Sequence, residues 1–362
     1  MMSNVKEKDT KKENMVLTMI LWGVMATVAL TAMLYAASSK TIVITDTLVE
    51  SPELSEKDLV TDVSGLLLQT DETYDRTICI PLAKGTKAEN VVMENRYMER
   101  ELWIYLQGAD KDFYEQNAIY GDINPVLNGY CEEQQSSVVL RLEMDTVWEY
   151  RSTMENDVLA ITCYRPGELY DNIVVADPVG GGSEYGVRVD SHSEKKIALQ
   201  IGKELQQKNE PEHTKIYYTR MEDIEVSRED RLALIKAVDA DLYLGIRACE
   251  DSEHSEYYGI HGFYNGEYFI PEYGNVQWAD VLTRNVTIAA SNRAIGLTQA
   301  EEGSILYDID IPAAEVCVGY LSNPEELALL TLEEYQGKLA KGMMDAIEEY
   351  FRIQKTEIEV EE

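Results

Sequence analysis

The sequence predicts an α/β fold over residues 169–353: a mostly parallel twisted sheet flanked by helices, preceded by a small β-rich domain and an N-terminal transmembrane helix. Three observations carry this reading. Residues 15–37 contain no charged side chain. Residues 73–168 hold short β-branched and aromatic runs separated by turn residues, the pattern of strands. From Ile173 onward, short apolar runs alternate with segments whose apolar residues recur every three or four positions, the pattern of strands alternating with helices.

The 362 residues leave room for two modest domains behind an anchor. Residues 1–14, read as a cytoplasmic tail, hold Lys6, Lys8, Lys11 and Lys12. The run MVLTMILWGVMATVALTAMLYAA occupies 15–37. It meets the roughly 20 apolar residues a helix needs to cross hydrocarbon. It exceeds the about 7–15 residues of a signal-peptide core, so an uncleaved single-pass anchor is expected. The small Ala36, Ala37 and Ser38 keep cleavage open as an alternative. With the lysines ahead of the span and Lys40 alone close behind it, the N-terminus is expected in the cytoplasm and residues 38–362 outside the cell membrane. Residues 38–72 are acidic and weakly periodic, and read as a linker.

In the β-rich domain, 73–168, the candidate strands are Thr77–Leu82, Leu102–Leu106, Val138–Met144 and Val158–Cys163. In the α/β domain the expected strands are Ile173–Ala176, Ile216–Thr219, Leu242–Ile246 and Ala313–Val318. Helices are expected at Glu194–Gln207, where Ile197, Ile201 and Leu205 share one face, at Arg228–Val238, at Trp278–Ala290 and at Glu334–Phe351. Residues 354–362 read as an acidic tail. In such sheets, sites lie at the carboxyl ends of the strands.

The formal charge of -34 and the lack of a basic stripe exclude nucleic acid as a partner. Cys79, Cys131, Cys163, Cys249 and Cys317 form no C-x-x-C pair, so no structural zinc knuckle is present. An odd number of thiols leaves at least one unpaired, and Cys79 with Cys163 is one pairing the strands allow.

Five landmarks then occur in order. They are Ile173-Val-Val-Ala-Asp177-Pro178-Val179-Gly180-Gly181-Gly182; Ser193-Glu194-Lys195; Tyr218-Thr219-Arg220 with Asp223; Ala240-Asp241-Leu242 through Arg247-Ala248-Cys249; and Pro312 through Gly319-Tyr320-Leu321-Ser322-Asn323-Pro324. Together they resemble the amidase-3 family of zinc-dependent N-acetylmuramoyl-L-alanine amidases, whose first motif is D-P-G-H-G-G. The span around Trp148-Glu149-Tyr150 loosely resembles the AMIN-type β-sandwich that often precedes such domains.

The resemblance implies one zinc held by His, Glu and His, and a further Glu serving the zinc-bound water. Three protein ligands leave a fourth position for that water, whose pKa the metal lowers toward about 7. A carboxylate then takes the proton as the water attacks an amide carbonyl. Carried over one position at a time, the first His falls on Gly180, the Glu on Glu194 and the second His on Arg247, a fixed cation that cannot ligate zinc. The catalytic Glu falls on Cys317. Glu315 lies two residues earlier on the same strand face, about 6.5–7 Å away, and is the displaced candidate. Asp177, Arg247 and Cys249 complete the expected cleft, with Arg247 expected to pair with Glu194 where a metal would sit. For Cys249 and Cys317 the favoured reading is two buried small hydrophobes, ahead of a disulfide or a thiolate metal site. His192, His213, His254 and His261 miss the ligand positions and read as loop histidines.

The resemblance and these substitutions together imply a catalytically degenerate, membrane-anchored envelope protein without bound metal, whose partner is peptidoglycan or a cell-wall protein. Two alternatives stay open: an active amidase with a rearranged zinc site, and a structural component of envelope assembly.

Overall fold

The computed structural model describes residues 44–46, 62–134, 137–209, 212–266 and 274–361. The uncharged span 15–37 and the tail 1–14 lie outside these residues. Among the described residues, no helix is long and apolar enough to cross a membrane.

The chain divides into two units. The first comprises, of the described chain, residues up to Asn95 together with Leu102–Glu143 and Tyr150–Cys163. Its elements are β1 (Ile44–Asp46), β2 (Asp62–Gly65), β3 (Leu68–Thr70), β4 (Thr77–Pro81), β5 (Val91–Arg96), β6 (Glu101–Gln107), α1 (Lys111–Gln116), β7 (Ile119–Gly121), β8 (Val126–Gln134), β9 (Ser137–Met144), β10 (Glu149–Glu155) and β11 (Val158–Tyr164). They form a six-stranded sheet ordered β1-β5-β6-β9-β8-β2 and a five-stranded sheet ordered β10-β11-β4-β7-β3. Leu102, Ile104 and Leu106 of β6, and Leu159, Ile161 and Cys163 of β11, are buried while their neighbours are not. That alternation is the sequence signal, because side chains on a strand point to opposite faces in turn. The linker expected over 38–72 is not all linker: β1, β2 and β3 fall within it and pair into the sheets.

The second unit is Tyr164–Glu362 with Arg96–Glu101 and Met144–Glu149. It continues with α2 (Pro166–Leu169), β12 (Asn172–Pro178), β13 (Arg188–Val189), β14 (His192–Ser193), α3 (Glu194–Lys208), β15 (Thr214–Tyr218), α4 (Arg228–Ala237), β16 (Leu242–Cys249), β17 (Ile260–Tyr264), α5 (Asn275–Ala290), β18 (Ala294–Gln299), β19 (Ala313–Tyr320), α6 (Pro324–Leu330) and α7 (Glu333–Glu361). The main sheet is ordered β15-β12-β16-β19-β17-β18. The β15-β12-β16-β19 ladder is parallel, but β17 joins β19 antiparallel and carries β18 parallel to itself. The sheet is therefore mostly parallel, as expected, with a single antiparallel pairing where β17 meets β19. Its central strands are apolar without alternation, because both faces are covered: every residue of β19 is buried.

The helices pack by their apolar stripes. Ile197, Ala198, Ile201 and Leu205 of α3 are buried, and α3 packs on β12, β16 and α7. Helix α5 packs on β19, β17 and α7. Two helix starts explain sequence landmarks. Ser227 caps α4 by accepting the Asp230 N–H, and Asn323 caps α6 by accepting the N–H groups of Glu325 and Glu326, with Pro324 at the first helical position. The closing helix runs on to Glu361, so the expected tail is helical there.

Trp278 anchors this unit. It is fully buried, donates its indole N–H to the Tyr243 carbonyl at 2.8 Å and meets Tyr350 edge-on with ring centroids 5.3 Å apart. Trp278→Ala should destabilise the α/β unit by about 3–5 kcal/mol in urea unfolding followed by circular dichroism. A loss below about 1 kcal/mol would contradict its place as a core anchor.

Candidate functional site

A cleft of about 660 Å³ opens at the carboxyl ends of β12 and β16, with Asp177, Gly180, Glu194, Arg247, Cys249 and Glu315 in its lining. Its first wall is the loop after β12. Gly180, Gly181 and Gly182 all have positive φ, at 75°, 128° and 53°, a path open to glycine at little cost. Gly181 and Glu184 exchange two backbone hydrogen bonds of 2.9 Å, closing a tight turn. Buried Arg220 ties the loop down: Nε donates to the Pro178 carbonyl at 2.7 Å, and Nη2 to those of Val179 at 2.9 Å and Lys195 at 2.8 Å. Lys195 Nζ donates to the Gly182 carbonyl at 2.6 Å and to Asp223 Oδ2 at 2.9 Å, while Gly182 N–H donates to Asp223 Oδ1 at 3.0 Å.

Asp177, at the end of β12, is 2% exposed and fully engaged. It forms an ion pair with Arg231 and accepts from Thr219 Oγ1 and from the Tyr243 hydroxyl at 2.7 Å. Burial, and then the Asp177 charge, push the Tyr243 phenol well above its usual range, so it donates as a neutral hydroxyl. Arg231 Nη2 also holds the Gly180 carbonyl at 3.1 Å. Asp177 is thus a support of the cleft loop and not a free carboxylate in it.

The floor is built around Arg247. Strand register pairs Gly245 with Glu315 and Arg247 with Cys317. The Glu315 side chain lies across Gly245, where an added Cβ would stand 2.5 Å from Glu315 Cγ. From there it accepts a hydrogen bond from Arg247 Nη1 at 2.9 Å. Arg247 Nε donates to Glu194 Oε1 at 3.3 Å, and Glu194 Oε2 accepts the Val187 N–H at 3.0 Å. The Glu194 and Glu315 side chains are only 4% and 6% exposed, the Arg247 side chain 36%. Burial raises the pKa of Glu194 and of Glu315, and Arg247 opposes it. Burial pulls Arg247 down, but Glu315 and Glu194 outweigh it and its pKa rises. Glu315 therefore reaches the site from its own position, two residues before Cys317, over a gap left by Gly245.

The family model described as N-acetylmuramoyl-L-alanine amidase, amidase-3, matches residues 174–349, the sheet and loops that carry this cleft. Residues 174–349 form an amidase-3 domain. Among curated relatives, the germination-specific N-acetylmuramoyl-L-alanine amidase of Bacillus subtilis is 26% identical over 199 residues, covering 51% of this chain and 81% of the relative. The probable cell wall amidase LytH of Staphylococcus aureus is 27% identical over 202 residues, covering 54% of this chain and 64% of its own length. A solved N-acetylmuramoyl-L-alanine amidase of Clostridium difficile 630 is 24% identical, covers 50% of this chain and 97% of that one, and superposes with a TM-score of 0.46.

The zinc that the amidase-3 resemblance implies does not fit the residues present. Gly180 brings no donor atom, and a Cβ there would meet the Glu184 carbonyl oxygen at 2.7 Å. Arg247 places a permanent cation between the carboxylates of Glu194 and Glu315. Among the described residues, no group of three or more His, Cys, Asp or Glu is arranged to hold a metal.

Cys249 and Cys317 are joined in a disulfide, which replaces the reading of two separate buried thiols. The β16–β19 ladder shifts register here, with one extra residue on β19: Arg247 pairs with Cys317 but Cys249 with Tyr320, and the cysteine Cα atoms lie 5.8 Å apart, within reach of a disulfide. Cys79, Cys131 and Cys163 are buried and lie outside the disulfide, so the Cys79–Cys163 bridge that the strands allow is not formed. Burial pushes the Cys131 thiol up to about 11, which makes it unreactive near neutrality.

His213 and His254 are exposed and sit beside Asp171 and Asp251 at 3.2 and 3.3 Å, as loop histidines do. His192 lies on the short β14. His261 is not in a loop: it stands on β17, half-buried between the Tyr320 hydroxyl at 3.3 Å and Thr298 Oγ1 at 2.7 Å, and burial lowers its pKa. Sequence reasoning missed the wall opposite the glycine loop, where Arg228 holds Asp308 at 2.7 Å and the Gly303 and Ser304 carbonyls at 2.8 and 3.0 Å. The one signal for it was an arginine opening a predicted helix.

Two measurements test this geometry. Thiol titration of the unfolded, unreduced chain should find three thiols, rising to five on reduction. Five before reduction would remove the disulfide. Because Glu194 and Glu315 have native pKa values raised above their usual 4.5, the folded state binds more protons than the unfolded one between those values. These two groups therefore cost stability as pH rises from 4.5 through the elevated range. The Glu194→Gln chain should show a shallower decline over that interval than the native chain in pH-dependent urea unfolding, and an unchanged slope would refute the assignment.

Proposed function

We propose that this chain is a membrane-anchored cell-envelope member of the amidase-3 family that binds peptidoglycan in its cleft without cutting it, and so takes part in regulating wall remodelling. The observation that carries this reading is Arg247 seated between Glu194 and Glu315. A guanidinium there neutralises the buried carboxylates but offers no water for attack on an amide carbonyl. The amidase-3 domain and the cell-wall amidase names of its relatives support the substrate class. The uncharged span 15–37 behind four lysines supports the anchor and the extracytoplasmic placement of residues 38–362. A family resemblance alone does not supply activity, because chemistry resides in the site.

The test combines three readouts on the purified full chain. Elemental analysis should find zinc well below one atom per chain. Incubation with purified peptidoglycan should release no peptide from the glycan. Centrifugation with the same insoluble peptidoglycan should carry the chain into the pellet. Stoichiometric zinc with peptide release would replace this reading by an active amidase with a rearranged site. Failure to pellet, without zinc or hydrolysis, would replace it by a structural role in envelope assembly.

A further inference from the structure

The misfit between an amidase-3 cleft and zinc has a specific cause. Glu194 and Glu315 both sit in the floor, both are almost wholly buried, and both bind the same guanidinium. Two buried carboxylates at one place cannot both ionise without a counter-charge. Arg247 supplies it from β16, donating Nε to Glu194 and Nη1 to Glu315. The other arginines lining the cleft are occupied elsewhere. Arg231 is committed to Asp177 and the Gly180 carbonyl, and Arg228 to Asp308 and two carbonyls.

We infer that Arg247 is the resident cation of this cleft: its guanidinium takes the place of a divalent ion between Glu194 and Glu315, and its presence is what keeps such an ion out. This rests on the non-hydrolytic reading above and adds to it the side chain that enforces that state. The class of ion follows from the donors. With the guanidinium gone, the floor offers carboxylate oxygens beside an open cleft that admits water. Oxygen donors with several waters suit a hard divalent cation such as Mn²⁺, Mg²⁺ or Ca²⁺. Zinc with nitrogen ligands would need a side chain at Gly180, which the Glu184 carbonyl oxygen blocks.

The experiment uses the full chain, MnCl₂ as probe, and two readouts, titration calorimetry and thermal melting. Arg247→Gln removes the charge and keeps a planar amide. This variant should bind one Mn²⁺ per chain at least tenfold tighter than the native chain, and Mn²⁺ should raise its melting temperature but not that of the native chain. The triple variant Arg247→Gln, Glu194→Gln, Glu315→Gln should lose the gain. Equal Mn²⁺ affinity in the native and Arg247→Gln chains would overturn the inference, as would a gain that survives in the triple variant. If Arg247→Gln is unfolded without metal, the inference requires Mn²⁺ to restore a cooperative melt, and no restoration overturns it. The outcomes separate from those for the proposed function. Zinc and hydrolysis in the native chain defeat that reading, whereas a metal-free native chain whose Arg247→Gln variant also takes no Mn²⁺ defeats only this one.

Discussion

Two carboxylates in the floor of an apolar sheet need a positive charge, and the site is arranged around meeting that need. Glu194 opens α3 and Glu315 lies in the middle of β19, on elements far apart in the chain. Each is costly to ionise where it sits, because burial withdraws the water that would solvate the charge. A guanidinium suits the position because it is planar, always charged and able to donate to two acids from different edges. Arg247 gives Nε to one and Nη1 to the other. The arrangement also needs a residue with no side chain at Gly245, since Glu315 crosses the strand there. The pair, the cation and the glycine form one unit in which changing any member disturbs the rest.

The same economy accounts for the motif residues that carry no chemistry. Thr219 and Tyr243 saturate Asp177 together with Arg231. Arg220 collects carbonyls of the β12 loop, and Lys195 with Asp223 secures Gly182. These are obligations of a loop that leaves a buried strand end with its backbone polar groups turned inward, where each must find a partner. They hold regardless of whether the cleft cuts a bond. The framework around the cleft is therefore satisfied by its own hydrogen bonds and ion pairs, independently of what the floor of the cleft carries.

The parts legible in the sequence were those whose cause is local. Strands β12 and β15 and helices α3 and α4 follow from apolar spacing, and the start of α6 from Asn323-Pro324. Glu194 and Arg247 were found because they stand inside ordered motifs. The parts that were not legible depend on partners distant in sequence. Strands β17 and β18 are short, each contains a glycine, and neither shows the alternation of a half-buried strand, so the mixed edge of the sheet was hidden. The Cys249–Cys317 bridge joins two strands 68 residues apart in the chain, a pairing that no spacing rule encodes. The reach of Glu315 to Arg247 depends on what its neighbour Gly245 lacks.

The altered positions are not equally reversible. At Arg247 the change is one of side chain alone: the strand is regular up to that residue and the surroundings accept a planar group. At Cys317 the neighbouring Glu315 already brings a carboxylate to the floor, and the sulfur is spent on Cys249. At Gly180 the change has become one of backbone. Its φ of 75° favours glycine, a Cβ would strike the Glu184 carbonyl and crowd Lys195, and its own carbonyl is held by Arg231. A histidine there would have to break the Gly181–Glu184 turn, and with it the bonds that Lys195 and Arg220 make to the same loop. The glycine at position 180 is thus held in place by the framework, whereas at Arg247 the side chain alone defines the position.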